Sequence, residues 1–194
     1  MTVLSPPRPA IVDRAVRDAQ RWCAGHTIDD HPALAHAVRV AVTIGEYVPN
    51  PSPELIAAAL LHDVPDFVPR TPDIYQVLAD AYGPQVPRII AALHAEHQAL
   101  DMPNPPIRVS DPPVLLASTA DKIVALRSLL RRAHASGNVT NFLRARPALL
   151  TLLPHFRAFQ QAAHPRVPAG MSARLDTALT LLERAAASIP TVSE

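Results

Sequence analysis

Residues 55–67 of this 194-residue chain read LIAAALLHDVPDF. A run of apolar residues from Leu55 to Leu61 ends in His62 and Asp63, with a further acid, Asp66, just beyond. A helix that is apolar on every side belongs in the interior. An unpartnered carboxylate is costly there, and a buried imidazole also needs partners. A metal ion removes both difficulties, because neutral imidazole and carboxylate are good ligands for divalent cations. Adjacent side chains on a regular helix diverge by about 100°, so both can reach one ion only if the helix ends or distorts. Pro65 disfavours helix at Val64 and predicts such a break.

The remaining ligands must come from other segments. The stretch DDHPALAHAVRVAVTI supplies His36, near the inward stripe of its helix, and His31 at the polar start of that helix as the alternative. Asp121 shares a stripe with Val114, Ala117 and Val124, and an Asp in the middle of a core-facing stripe is rarely there for packing. Two His and two Asp would enclose one ion and leave a position open for water.

The elements that must hold these groups are helical. Val12, Ala15, Val16, Ala19 and Trp22 mark one helix face, and a helix over Pro32–Glu46 is expected to turn Leu34, Val38, Ala41 and Val42 inward. Ser52–Pro53, Thr71–Pro72 and Asp111–Pro112 read as helix starts, with Gly83 and Gly137 as stops. Further helices are expected over 84–100, 112–137, 139–164 and 172–188, with Pro147 and Pro154 breaking or kinking the third of these. No segment alternates with period two as a strand would. The expectation is a single all-α domain spanning 1–194, a bundle of about seven to nine helices.

Composition narrows the function. The net charge is +1, which gives no argument for nucleic acid or an anionic membrane as partner. No apolar run approaches the ~20 residues of a membrane span, and MTVLSPPRPA lacks the basic start and apolar core of a signal peptide. Cys23 is the only cysteine, so it reads as packing in a reducing, cytoplasmic setting. Arginine supplies every side-chain cation but one, Lys122. That exception invites a phosphate-facing role.

His36, the pair His62–Asp63 closing ELIAAALLHDV, and Asp121 in TADKIVALRSL together resemble the HD-domain metal-dependent phosphohydrolases. The match is closest to the small RelA/SpoT-type alarmone hydrolases, over residues of about 10–135, with HAVRVAVTI and AYGPQVPRIIAAL as further matching segments. The resemblance implies an HD-domain helical bundle in which His36, His62, Asp63 and Asp121 hold one divalent ion. That ion is Mn²⁺ in the alarmone hydrolases, with Fe, Zn, Ni, Co or Mg as other candidates. It implies hydrolysis of a small phosphorylated compound, a nucleotide carrying a 3′ pyrophosphate, and it leaves room for a homo-oligomer. Asp66 matches the first acid of the family's Glu-Asp pair and is the expected base. Lys122, Arg127 and Ser128 match substrate-contacting positions.

The chain also departs from that pattern. Phe67 replaces the second acid, Ala125 replaces an Asn, and Ala24 and Gly25 stand where a basic pair holds the guanine nucleotide. Two alternatives therefore accompany the alarmone reading: a degenerate HD protein that binds a nucleotide or partner without catalysis, and a phosphohydrolase of another phosphorylated small molecule. Oxygen-dependent chemistry at iron is a further class, disfavoured by the lack of evident ligands for a second metal. His94 and His97, three apart on one helix, either line the cleft or form a solvated face.

Overall fold

The seven residues from Leu55 to Leu61 are all buried, which makes their helix the axis of the molecule. The structure is a computed structural model that describes residues 2–28, 30–68 and 73–189. Among these, ten helical segments and one two-stranded ribbon are present. α1 (Ala10–Trp22), α2 (Ala33–Tyr47), α3 (Pro53–Leu61) and a single turn, α4 (Val64–Phe67), come first. They are followed by α5 (Ile74–Tyr82), α6 (Gln85–Ala99) and the long α7 (Pro112–Ala135). α8 (Val139–Arg144), α9 (Pro147–Ala163) and α10 (Ala169–Ala187) complete the chain. The all-α expectation holds.

α3 packs against α1, α2 and α6, while α7 packs against α2, α6 and α10. α3 and α7 therefore form the two inner columns, and α2 and α6 bridge them. Each starts as its sequence dictates. The Ser52 hydroxyl accepts from the Leu55 N–H at 3.2 Å and Pro53 opens α3; the Asp111 carboxylate caps α7 through the Val114 N–H at 3.4 Å. The start expected at Thr71–Pro72 lies outside the described residues. α5 opens one residue after Asp73, whose carboxylate accepts from the Tyr75 N–H at 3.0 Å. It stops at Gly83, which takes φ +76°, a conformation that favours glycine.

Three expectations need correction. The first concerns α2: it buries Ala33, His36, Ala37, Val40, Ala41, Thr43 and Ile44, whereas Leu34, Val38 and Val42 are only half-buried. Packing between α3 and α7 widens and turns its inner face, which carries His36 fully inside. Second, a short antiparallel ribbon does exist: β1 (Thr27–Ile28) pairs with β2 (His31–Pro32). Two residues per strand are too few to show an alternating pattern. Third, the segment expected at 139–164 is broken only once, before Pro147, and Pro154 is accommodated inside α9.

Candidate metal centre

α3 ends at Leu61, and His62 and Asp63 form the turn before α4. The break expected just after the pair falls at the pair itself, since Val64 is helical and opens α4, and it brings both side chains to one point. The His62 Nδ1–H donates to the Ala59 carbonyl at 2.9 Å, one of the oxygens that a helix end leaves without a partner. That bond fixes the ring, and in the neutral tautomer it leaves the Nε2 lone pair facing inward. His62 Nε2 lies 3.2 Å from Asp63 Oδ2 and 3.6 Å from Asp121 Oδ1. His36 Nε2, arriving from α2, lies 2.9 Å from Asp121 Oδ1 and 3.9 Å from Asp63 Oδ2.

All four side chains are buried, and two of their atoms, His62 Nε2 and Asp63 Oδ2, have no hydrogen-bond partner. Buried polar atoms are nearly always satisfied, so two orphans facing each other mark a missing third party. A divalent ion with ligand bonds near 2.1 Å places neighbouring ligand atoms about 3 to 3.5 Å apart. The separations here bracket that value. His36, His62 and Asp121 present three ligand atoms within 4.8 Å of one another, and Asp63 adds a fourth within 3.9 Å of both histidines, a set that fits such an ion in type and burial.

The electrostatics agree. Burial opposes a charge on His62, yet the carboxylates of Asp63 and then Asp121 raise it to about 9. Burial likewise opposes ionisation of Asp121, but hydrogen bonds from His36 and His97, with the His62 ring close by, hold its carboxyl well below the usual range. The pocket demands positive charge.

His97 belongs to this cluster. It projects from α6 with Nε2 3.1 Å from Asp121 Oδ2, and Asp63, Asp66 and His97 form a second group whose ligand atoms lie within 4.8 Å of one another. The pair His94 and His97 is therefore not a solvated face. His94 Nε2 stands 3.2 Å from Asp66 Oδ1 and 3.0 Å from the Gln98 side-chain nitrogen, and its Nδ1 is 2.6 Å from the Tyr75 hydroxyl. Asp66 is thus held at the rim, its carboxylate half exposed and aimed where water can reach.

A cleft of about 270 Å³ opens over the cluster, with Asp66, Phe67, Lys122 and Ala125 among its walls. The Lys122 ammonium pairs with buried Glu96, donates to Ser118 Oγ at 3.0 Å, and lies 4.4 Å from the centre of the Phe159 ring. Lys122 thus stands on the cleft wall, as a phosphate-facing residue would, with its charge paired to Glu96. Arg127 is six residues past Asp121, about 240° around the helix. It lines a separate cavity with Arg39 and Arg131. Ser128 is on the face of Asp121 but about 10 Å further along α7, buried and outside the cleft lining. His31, the alternative ligand, sits in β2 and does not line the cleft. Cys23 is buried, and burial, helped by the charge of Asp63, pushes its thiol up to about 11, consistent with packing.

An all-α bundle closing on a His–Asp cluster, with the His-Asp pair at the end of a wholly buried helix, agrees with the all-α fold expected from the sequence. Among solved structures the chain is similar to one described as a metazoan ortholog of SpoT that hydrolyses ppGpp and plays a role in starvation responses. The two share 15% identity over 91% of this chain and 98% of the other, with a TM-score of 0.57. At that identity the likeness is one of fold. No protein-family model and no curated protein sequence matches the chain. No helix among the described residues is long and apolar enough to cross a membrane.

Proposed function

We propose that this chain is a metal-dependent hydrolase that cleaves a phosphoester or pyrophosphate bond of a small molecule. The observation that carries the reading is the pair of buried orphan atoms, His62 Nε2 and Asp63 Oδ2, facing each other between His36 and Asp121. A divalent ion held by these four side chains, Mn²⁺ being the first to test, supplies positive charge to the cleft and Lewis acidity that acidifies water.

The protein's own groups do the rest. Asp66, at the rim and outside the four, accepts a proton from the attacking water. His94, bracketed by Tyr75 and Gln98, holds the Asp66 carboxylate in place. His97 hydrogen-bonds Asp121 and fixes its second oxygen. The fold neighbour's ppGpp hydrolysis and the HD motifs support a nucleotide pyrophosphate as the first compound to try. Ala24, Gly25 and Ala125 bring no polar side chain to the positions that read a guanine nucleotide, so that support reaches the reaction further than the base. Phe67 favours a second reading, binding without turnover: its ring stacks on His26, with centroids 4.5 Å apart, where the family has an acid.

Metal analysis after Mn²⁺ loading tests the site. The expected result is a stoichiometric ion in the native chain that His62→Ala or Asp63→Ala fails to retain. No stoichiometric ion in the native chain would sink the proposal. A screen for phosphate release over alarmones, nucleotides and simple phosphoesters separates catalysis from binding alone.

A further inference from the structure

The cleft lining is of two kinds, with Asp63, Asp66, His97, Asp121 and Lys122 charged or polar and Phe67, Leu100, Ala125, Leu126 and Phe156 apolar. A groove of about 570 Å³ shares Leu100, Ala125, Leu126 and Phe156 with the cleft and continues over Leu129, Leu149 and Leu152. Its one charged wall residue is Arg146. That guanidinium lies 3.6 Å from the centre of the Phe142 ring and donates to the Phe142 carbonyl at 2.8 Å, so it is occupied within its own segment.

We propose that the substrate's organic group is apolar, an alkyl, prenyl or aryl alcohol esterified to phosphate, lying in this groove with its phosphate over the His–Asp cluster. The proposal rests on the phosphohydrolase reading and names its substrate class. Continuity with the metal cleft is what selects this occupant: a ligand anchored by phosphate there must extend somewhere, and this groove of Leu, Ala and Phe shares four walls with the cleft, whereas the more polar cavity beside Asp101, Asn104 and His155 shares only Leu100. A purine and ribose would desolvate several donors and acceptors against walls that offer no partners. An alkyl or aryl group loses nothing there and gains from burial. Two of the chain's departures from the alarmone pattern, Phe67 and Ala125, are among the cleft's apolar lining and put carbon where the resemblance would have acid and amide. Hydrolysis would form a bond from water oxygen to phosphorus and break the phosphorus–oxygen bond to the alcohol. One water proton would pass to the leaving alcohol oxygen and the other would stay on the released phosphate.

Binding of non-hydrolysable n-alkyl phosphonates, ethyl to octyl, to the Mn²⁺-loaded full chain by calorimetry tests this independently of turnover. Affinity should rise about fourfold for each methylene buried. Ala148 and Leu152 line the groove and not the cleft, so Ala148→Asp and Leu152→Asp should flatten that increment. Ala148 is exposed in the first turn of α9, where a carboxylate suits the helix, so this variant keeps its fold. Affinity independent of chain length, or an increment that neither variant alters, would overturn the proposal. So would tighter binding of guanosine 5′-monophosphate than of octyl phosphonate. Persistence of the increment with no phosphate released from the matching alkyl phosphates would uphold the ligand class and refute the hydrolase reading.

Discussion

Lys122→Met separates a charge-balancing lysine from a phosphate-binding one. The ammonium has three N–H donors, and three acceptors surround it: the Glu96 carboxylate, Ser118 Oγ and the face of the Phe159 ring. Glu96 is as enclosed as its partner, at 7% exposure against 5% for Lys122. Ser118 also donates to Glu96 Oε1 at 2.9 Å. Removing the cation leaves Glu96 buried with one neutral donor, and breaking a buried pair in this way costs about 3–5 kcal/mol. For a chain of this length each kcal/mol lowers Tm by roughly 2–4 °C, so the expected drop is about 6–20 °C, read by circular dichroism with and without Mn²⁺. Glu96→Gln combined with Lys122→Met should recover most of it, because a neutral pair of similar shape leaves no charge stranded. An unchanged Tm with a raised KM for phosphoester would refute the reasoning and restore Lys122 to the substrate.

Two further outcomes are expected. Asp66→Asn should lower kcat by about 10²–10⁴ without lowering metal content, whereas His94→Asn should cost less and add little to Asp66→Asn; fully additive losses would remove His94 from its supporting role. In chelator-treated protein His62, raised from 6.5 to about 9, should contribute stability that is complete below pH 6.5 and lost as pH rises through about 9. The loss is on the order of 3 kcal/mol, and urea titrations that show no decline over that interval would refute it.

Much of the site was legible because its residues break local rules. An Asp in an apolar stripe and a His-Asp pair ending an apolar helix are conflicts that each local pattern exposes, and the four residues do converge. Glu96 carried the same mark unread, and His97 was read only as one of a pair with His94: Val86, Ile89, Ile90 and Leu93 form a stripe on α6 whose next positions, three and four on, are Glu96 and His97. Arg127 was recoverable too, since six residues from Asp121 cannot stay on one helix face. Lys122 was not. Its ion pair with Glu96 reaches to another helix, a pairing that only the packing of α6 on α7 creates. The α2 stripe failed for a similar reason, because the width of a buried face depends on how many neighbours the helix has.

Charge balance joins these observations. Asp63 and Asp121 place two carboxylates in a space walled by α3 and α7, where water cannot screen them. His62 is pushed up to about 9 because a proton is the one cation the chain itself can supply there. The same field favours a divalent ion more strongly, since it carries twice the charge and takes up the orphan atoms His62 Nε2 and Asp63 Oδ2 together. Lys122 does not answer this demand although it follows Asp121 directly, because its charge is already answered by Glu96. The one local lysine is thereby kept off the His–Asp cluster, and the cluster is left to an ion. The helix Leu55–Leu61 is apolar on all sides because α1, α2 and α6 enclose it, and the Ala59 carbonyl near its end fixes His62.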